Sequence, residues 1–185
     1  MTLRTALLLV LTLVWPLQSL DDSARAWVQA HRRPEWESTV RLVSDGSRPF
    51  LFILAAGALV SGTAARAAVL DAAVALIPVN LTVEGLKWTL GRVRPDGDGH
   101  RRNSAFPSSH AANAFAIASV IAYRWRRAAL PFGLFAVAVA YSRMYLDRHW
   151  LTDVTGGALI GVGGALLGVW LVNQWRASRT SAVEG

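Results

Sequence analysis

The chain predicts an all-α membrane protein with about six transmembrane helices and one interfacial amphipathic segment. Two observations lead there. Of its 185 residues, 53% are apolar, and they come in long blocks rather than the short alternations of a soluble core. The arginines that give the formal charge of +7 lie between those blocks instead of along one face. That placement excludes nucleic acid as the partner and points to loops that meet anionic headgroups at a bilayer surface. The length fits a single domain, residues 1–185. With no cysteine in the chain, disulfides, a thiolate nucleophile and Cys-bound zinc are excluded.

Measured against the roughly 20 residues that cross a bilayer, six apolar spans fall near 4–20, 49–66, 67–86, 109–123, 128–144 and 151–172. The first reads as a span or as the leader of a secreted chain. Trp15-Pro16 stands where a cleavage region should be small and open, which favours a span. Residues 21–48 are polar with interspersed Trp and Val, an interfacial pattern broken at Pro34. Spans two and three nearly touch, so Ser61-Gly62 and Arg66 must mark a tight turn. Asp71, Pro78, Asn80 and Glu84 fall inside span three and should face other helices or a cavity, with Glu84 able to support a site. Span six carries Gly157/Gly161 and Gly164/Gly168, two G-x-x-x-G pairs that permit close backbone approach, for internal packing or for dimerisation. Trp88, Trp125, Trp150 and Trp170 lie near span ends, as an aromatic belt requires.

Six crossings put both termini on one side and the loops around 87–108 and 143–150 on the other. The compact RWRR at 124–127 marks the terminal side as cytoplasmic, which turns those loops outward from the inner membrane.

Three clusters share that outer side. Lys87, the single lysine beside 18 arginines, stands seven residues before Arg94-Pro95. On a helix that spacing is about two turns, which would put Lys87 and Arg94 on nearly one face, and Pro95 should end the helix at Arg94. Pro107, Ser108 and Ser109 precede an apolar run, the place for a hydroxyl cap whose free N–H groups attract an anion, with His110 in the first turn. His149 and Asp153 are four apart, so that a carboxylate can hold one imidazole nitrogen and leave the other as a nucleophile; Arg143 adds a fork suited to phosphate oxygens. Such a set can hold a phosphoryl group, with His149 attacking phosphorus and His110 protonating the leaving oxygen. A His/His/Asp metal site competes with that reading, but three adjacent cations repel a divalent ion, so neither metal nor other cofactor is expected.

KWTLGRVRP, PSSH and SRMYLDRHWLTD resemble the three-part signature of the type 2 phosphatidic acid phosphatase family, K-x6-R-P, P-S-G-H and S-R-x5-H-x3-D, across residues 87–153. Ser109 departs from the pattern, where the family often has Gly. The resemblance implies a six-crossing, metal-independent phosphatase in which Lys87, Arg94, Ser108, Ser109 and Arg143 bind the phosphoryl group. His110 would then be the acid/base, His149 the nucleophile and Asp153 its partner. It further implies a lipid phosphate substrate, one of undecaprenyl pyrophosphate, phosphatidylglycerol phosphate and phosphatidic acid, without choosing among them; undecaprenyl pyrophosphate is the expected one. Arg101 and Arg102 could meet a second phosphate or a headgroup. A phosphate or lipid transporter is the rival class, but binding alone needs no oriented nucleophile. The sequence leaves the oligomeric state open.

Overall fold

The computed structural model describes residues 3–100 and 103–184, with side chains from 17 to 179 within those ranges. Most of the side chains on which the choice between a first span and a leader rests lie outside the described residues. Among the described residues there are six long helices: α1 (Leu3–Ala30), α2 (Glu37–Ser61), α3 (Thr63–Leu90), α4 (Ser109–Arg124), α5 (Ala129–Tyr145) and α6 (Leu151–Glu184). Among the described residues, four segments are long and apolar enough to cross a membrane: Pro34–Ser61, Thr63–Leu90, Arg126–Tyr145 and Leu151–Arg179. The 16 residues of α4 reach only ~24 Å, short of a ~30 Å hydrocarbon layer. Instead of facing lipid on most sides, α4 is the pillar that α3, α5 and α6 pack against.

Small side chains let the backbones close on that pillar. Ala111, Ala112, Ala114, Ala116 and Ala118 of α4 are buried. A Cβ added at Gly157 would lie 2.5 Å from the Ser108 carbonyl oxygen, and one at Gly161 would strike the Ala112 carbonyl. Gly164 and Gly168 meet α3 instead, at Val79 and Ala75. Both G-x-x-x-G pairs therefore serve packing inside the chain, one pair against each neighbour. Large apolar side chains such as Phe52, Leu81 and Leu159 point outward, as lipid-facing positions require.

Residues 21–48 do not form a separate interfacial element. They extend α1 to Ala30 and begin α2 at Glu37, with a single 3-10 turn at Pro34–Trp36 between them. Helical hydrogen bonding runs past the edge of an apolar window, because the backbone ladder does not depend on side-chain polarity. The expected tight turn is present at Gly62, whose φ of 154° suits glycine, and Arg66 donates to the Leu59 carbonyl across it at 2.7 Å.

The helices alternate in direction. At one end Asp71 of α3 is buried and bound by Arg124 of α4 and Arg176 of α6. That finds partners for a polar residue expected to face other helices, and it ties three helices together at the end remote from Lys87.

Gly161→Val should lower the unfolding midpoint in detergent, with an overpacking cost of about 1–3 kcal/mol. Gly163→Ala, a site with nothing within 4 Å of the new methyl, should leave the midpoint level or raise it. Equal effects at the two sites would mean that the α4–α6 approach is not tight.

Candidate functional site

Segments from five stretches of chain close on one cavity of about 360 Å³, lined by Lys87, Arg94, Ser109, His110, Arg143 and His149, with Arg48, Glu84 and Asn103 completing the wall. The two histidines, 39 positions apart in sequence, share this cavity.

Lys87 sits in the last turn of α3, buried, where its ammonium donates to Ser109 Oγ at 3.1 Å and to Glu84 Oε1 at 3.3 Å. Glu84 thus does support the site. The helix does not continue to Arg94 as expected. Gly91, with φ 56°, turns left-handed and caps it, its N–H donating to the Lys87 carbonyl at 3.2 Å. Glycine after the last turn is the usual stop for a helix, and it overrides the weaker signal from Pro95. Arg94 reaches the cavity from the loop beyond, so chain reversal and not helical spacing brings the two cations together. Its Nε donates to the Asn103 carbonyl at 2.8 Å, and its backbone N–H donates to the Asp98 carbonyl at 3.1 Å. Burial pushes the Arg94 guanidinium below its ordinary value, against the pull of Asp96 and Asp98.

Ser108 caps α4 as expected, its Oγ accepting from the Ala111 N–H at 3.5 Å. Ser109, where glycine was the commoner residue in the resemblance, contributes a hydroxyl that accepts from Lys87 and so helps to fix the ammonium. Arg143, buried in the last turn of α5, donates to Ser44 Oγ of α2 and stands 3.9 Å from Asp45. Its Nε is buried with no hydrogen-bond partner. A guanidinium N–H out of water and unpaired is costly, and an anion oxygen in the cavity would remove that cost.

His149 precedes α6, is 3% exposed, and has its Nδ1 2.7 Å from the Ala105 carbonyl. A carbonyl only accepts, so the proton sits on Nδ1 and the Nε2 lone pair is left free. The expected partner, Asp153, stands 3.7 Å from Nδ1, outside hydrogen-bond range. Its oxygens are taken elsewhere: Oδ2 accepts from the Trp150 N–H at 2.8 Å and Oδ1 from Arg92 at 2.6 Å. Asp153 acts on His149 through its charge and by fixing the start of α6, while the tautomer is set by the backbone. Burial is the main force on the His149 imidazole and pushes it below its ordinary value of 6.5, opposed by Asp153.

Sequence reasoning missed Arg92. Its guanidinium spans Asp153 and Asp21 of α1, each at 2.6 Å, and Asp21 also accepts from the Thr152 N–H at 2.8 Å. Both carboxylates are almost fully buried, and Arg92 bridges them. The GRVRP stretch contained the signal, a second arginine in the helix-terminating loop, but nothing in sequence ties it to a carboxylate 71 positions away. Arg48 was also missed. It lines the polar cavity and, with Leu51, Phe52, Leu76, Ile117 and Phe132, a neighbouring apolar groove of about 790 Å³ between α2, α3, α4 and α5. Arg101 and Arg102 lie outside the described residues. Among the described residues no three of His, Asp and Glu gather as metal ligands.

The family model of the PAP2 superfamily matches residues 68–177. The chain is 40% identical over 91 residues to phosphatidylglycerophosphatase B of Bacillus subtilis, covering 42% of this chain and 44% of that one. It is 36% identical over 118 residues to the putative undecaprenyl-diphosphatase YbjG of Escherichia coli, covering 56% of this chain and 57% of the other. The matched stretch is thus about half the length of these curated relatives. In fold, the chain is similar to the crystal structure of Aquifex aeolicus LpxE, with a TM-score of 0.72 and 23% identity over 81% of this chain and 94% of that one.

Arg92→Ala leaves Asp21 and Asp153 buried without their shared cation. We expect a loss of about 3 kcal/mol of stability, read as a lower unfolding midpoint in detergent. A midpoint equal to wild type would mean that the bridge carries no weight.

Proposed function

The chain belongs to the PAP2 superfamily, and from that premise we propose that it is a metal-independent lipid phosphatase that works through a phosphohistidine. One observation carries the reading: Lys87, Arg94 and Arg143, three buried cations, face a histidine with a free Nε2 across one cavity.

The steps follow from the groups present. The terminal phosphoryl group of the substrate lies among the three cations, the Ser109 hydroxyl and the free N–H groups at the start of α4, which offset charge on its non-bridging oxygens. Lys87 supplies a compact point charge to one oxygen, held in place by Ser109 and Glu84, where a planar fork would need room on both sides. His149 Nε2 forms a bond to phosphorus as the bond to the leaving oxygen breaks. His110 gives that oxygen its proton. Water then attacks the phosphohistidine, His110 takes the proton from the water, and the P–N bond breaks to release phosphate. Burial keeps His149 neutral at pH 7, as a nucleophile must be.

The apolar groove beside the cavity supports a lipid substrate. Because Arg48 lines both the groove and the cavity, a chain lying among Leu51, Phe52 and Phe132 would have its phosphate beside the polar site. We favour a polyprenyl diphosphate of the undecaprenyl type as substrate, with phosphatidylglycerol phosphate and phosphatidic acid as the alternatives. The RWRR stretch at 124–127 supports a site on the outer face of the cytoplasmic membrane.

Phosphate release from purified protein should persist in EDTA, be blocked by vanadate and vanish in His149→Ala while lipid binding remains. A strict magnesium requirement, or full activity in that variant, would overturn the reading. Lys87→Arg should lose at least tenfold in turnover, about 1.4 kcal/mol of transition-state stabilisation; near-normal turnover would show that any cation serves there. In a pH profile of kcat/KM, the acid limb from His149 should fall below 6.5, since activity persists as pH drops until its lowered value is crossed. A limb above 6.5 would assign that titration to another group.

A further inference from the structure

A second polar layer begins at Arg48, in the wall of the phosphoryl cavity, and extends about one helical turn deeper to the head of the apolar groove, which Arg48 also lines. On α2, Arg48 follows by four residues Ser44, whose hydroxyl receives Arg143. On α4, Asn113 follows His110 by three and faces the groove rather than the cavity. On α3, Asn80 precedes Glu84 by four and also lines the groove. Since α2 and α4 run inward from the site and α3 runs toward it, all three shifts move the same way, by about 5 Å.

These groups differ in what they are already doing. Asn80 is committed, its amide donating to the Leu76 carbonyl of its own helix at 2.8 Å. Asn113 is not: its side-chain oxygen is buried with no hydrogen-bond partner. The oxygen and nitrogen of an amide exchange places by a simple flip, which would turn two donors to the same point. Arg48 is exposed and makes no hydrogen bond or ion pair among the described residues. The three other cations that line the cavity are each held, Lys87 by Ser109 and Glu84, Arg94 by Asn103 and Arg143 by Ser44. An unengaged guanidinium at the mouth of a groove lined, apart from Asn80 and Asn113, mainly by apolar side chains has no role in folding that the contacts reveal. Its position suits an anionic group that lies between the phosphoryl group being removed and the lipid tail.

We propose that Arg48 and Asn113 form a second phosphate subsite, which selects lipids carrying an anionic phosphate between the hydrolysed phosphoryl group and the apolar chain. A simple phosphate monoester of a lipid presents only neutral ester atoms at this depth. A lipid diphosphate and a lipid phosphodiester that bears a terminal phosphate both present a negative charge there. The inference rests on the lipid phosphatase reading above and sharpens its substrate class.

The test compares wild type with Arg48→Gln, a change at an exposed residue with no partner to lose. Four substrates are used in detergent: a polyprenyl diphosphate, the matching polyprenyl monophosphate, phosphatidylglycerol phosphate and phosphatidic acid. The ratio of kcat/KM for the diphosphate over the monophosphate, or for phosphatidylglycerol phosphate over phosphatidic acid, should fall at least tenfold in the variant. Whichever pair responds identifies the source of the second phosphate. Unchanged ratios in both pairs would overturn the subsite. A polyprenyl methylenebisphosphonate, which does not turn over, separates the subsite from the catalytic reading, because its affinity is measured by thermal shift whether or not any lipid is hydrolysed. Its affinity should drop at least tenfold in Arg48→Gln, and equal affinity in the two proteins would likewise overturn the proposal.

Discussion

Buried positive charge that the chain does not itself neutralise is the constraint around which the rest of the molecule is arranged. Lys87, Arg94 and Arg143 converge on one cavity whose wall, among the described residues, contains a single carboxylate, Glu84, more than half exposed. Leaving three cations in such a place costs free energy unless each is held by neutral acceptors and an anion completes the set. The acceptors are visible: a serine hydroxyl for Lys87, a backbone carbonyl for Arg94, a second serine for Arg143. The unpaired Nε of Arg143 shows where the protein's own supply of acceptors ends. A phosphoryl dianion is the kind of ligand that such an arrangement stabilises most.

Holding those cations in register requires helices that cannot drift, and small residues provide this. Gly157 and Gly161 bring α6 against α4, so that the helix carrying Ser109 and His110 and the helix that begins after His149 share a close backbone contact. At the site end, the loop from Gly91 to Ser108 is pinned to α6. Ser108 N–H donates to the Asp153 carbonyl at 3.0 Å, and Trp150 Nε1 donates to the Val93 carbonyl at 3.0 Å. Arg92 then ties α1 into the same layer through Asp21. The packing link and the electrostatic link are therefore one device: close approach sets the positions, and charge is placed on them.

Much of this was legible in the sequence because it depends on local chemistry. The all-helical architecture, the Gly62 turn, the serine cap at Ser108 and the glycine pairs of α6 follow from residue type and spacing. The six residues of the three clusters that line the cavity were legible too, through motif spacing. What sequence could not give was the third dimension of each contact. The i, i+4 relation of His149 and Asp153 suggested a hydrogen bond, yet helix α6 starts between them and the nearer acceptor is Ala105, 44 positions away. Likewise Lys87 and Arg94 meet through a left-handed turn at Gly91 and not along a helical face. Arg92, Arg48 and Asn113 were invisible because their meaning lies in which other segment they face.

In the proposed mechanism, His149 Nε2 makes the bond to phosphorus. Rapid quenching of the protein with a lipid phosphate substrate, followed by mass spectrometry under alkaline conditions that preserve phosphoramidates, reads that bond directly. A phosphate on the peptide that contains His149 is the expected result. A phosphate on His110, or none on any residue under conditions where turnover is verified, would contradict it.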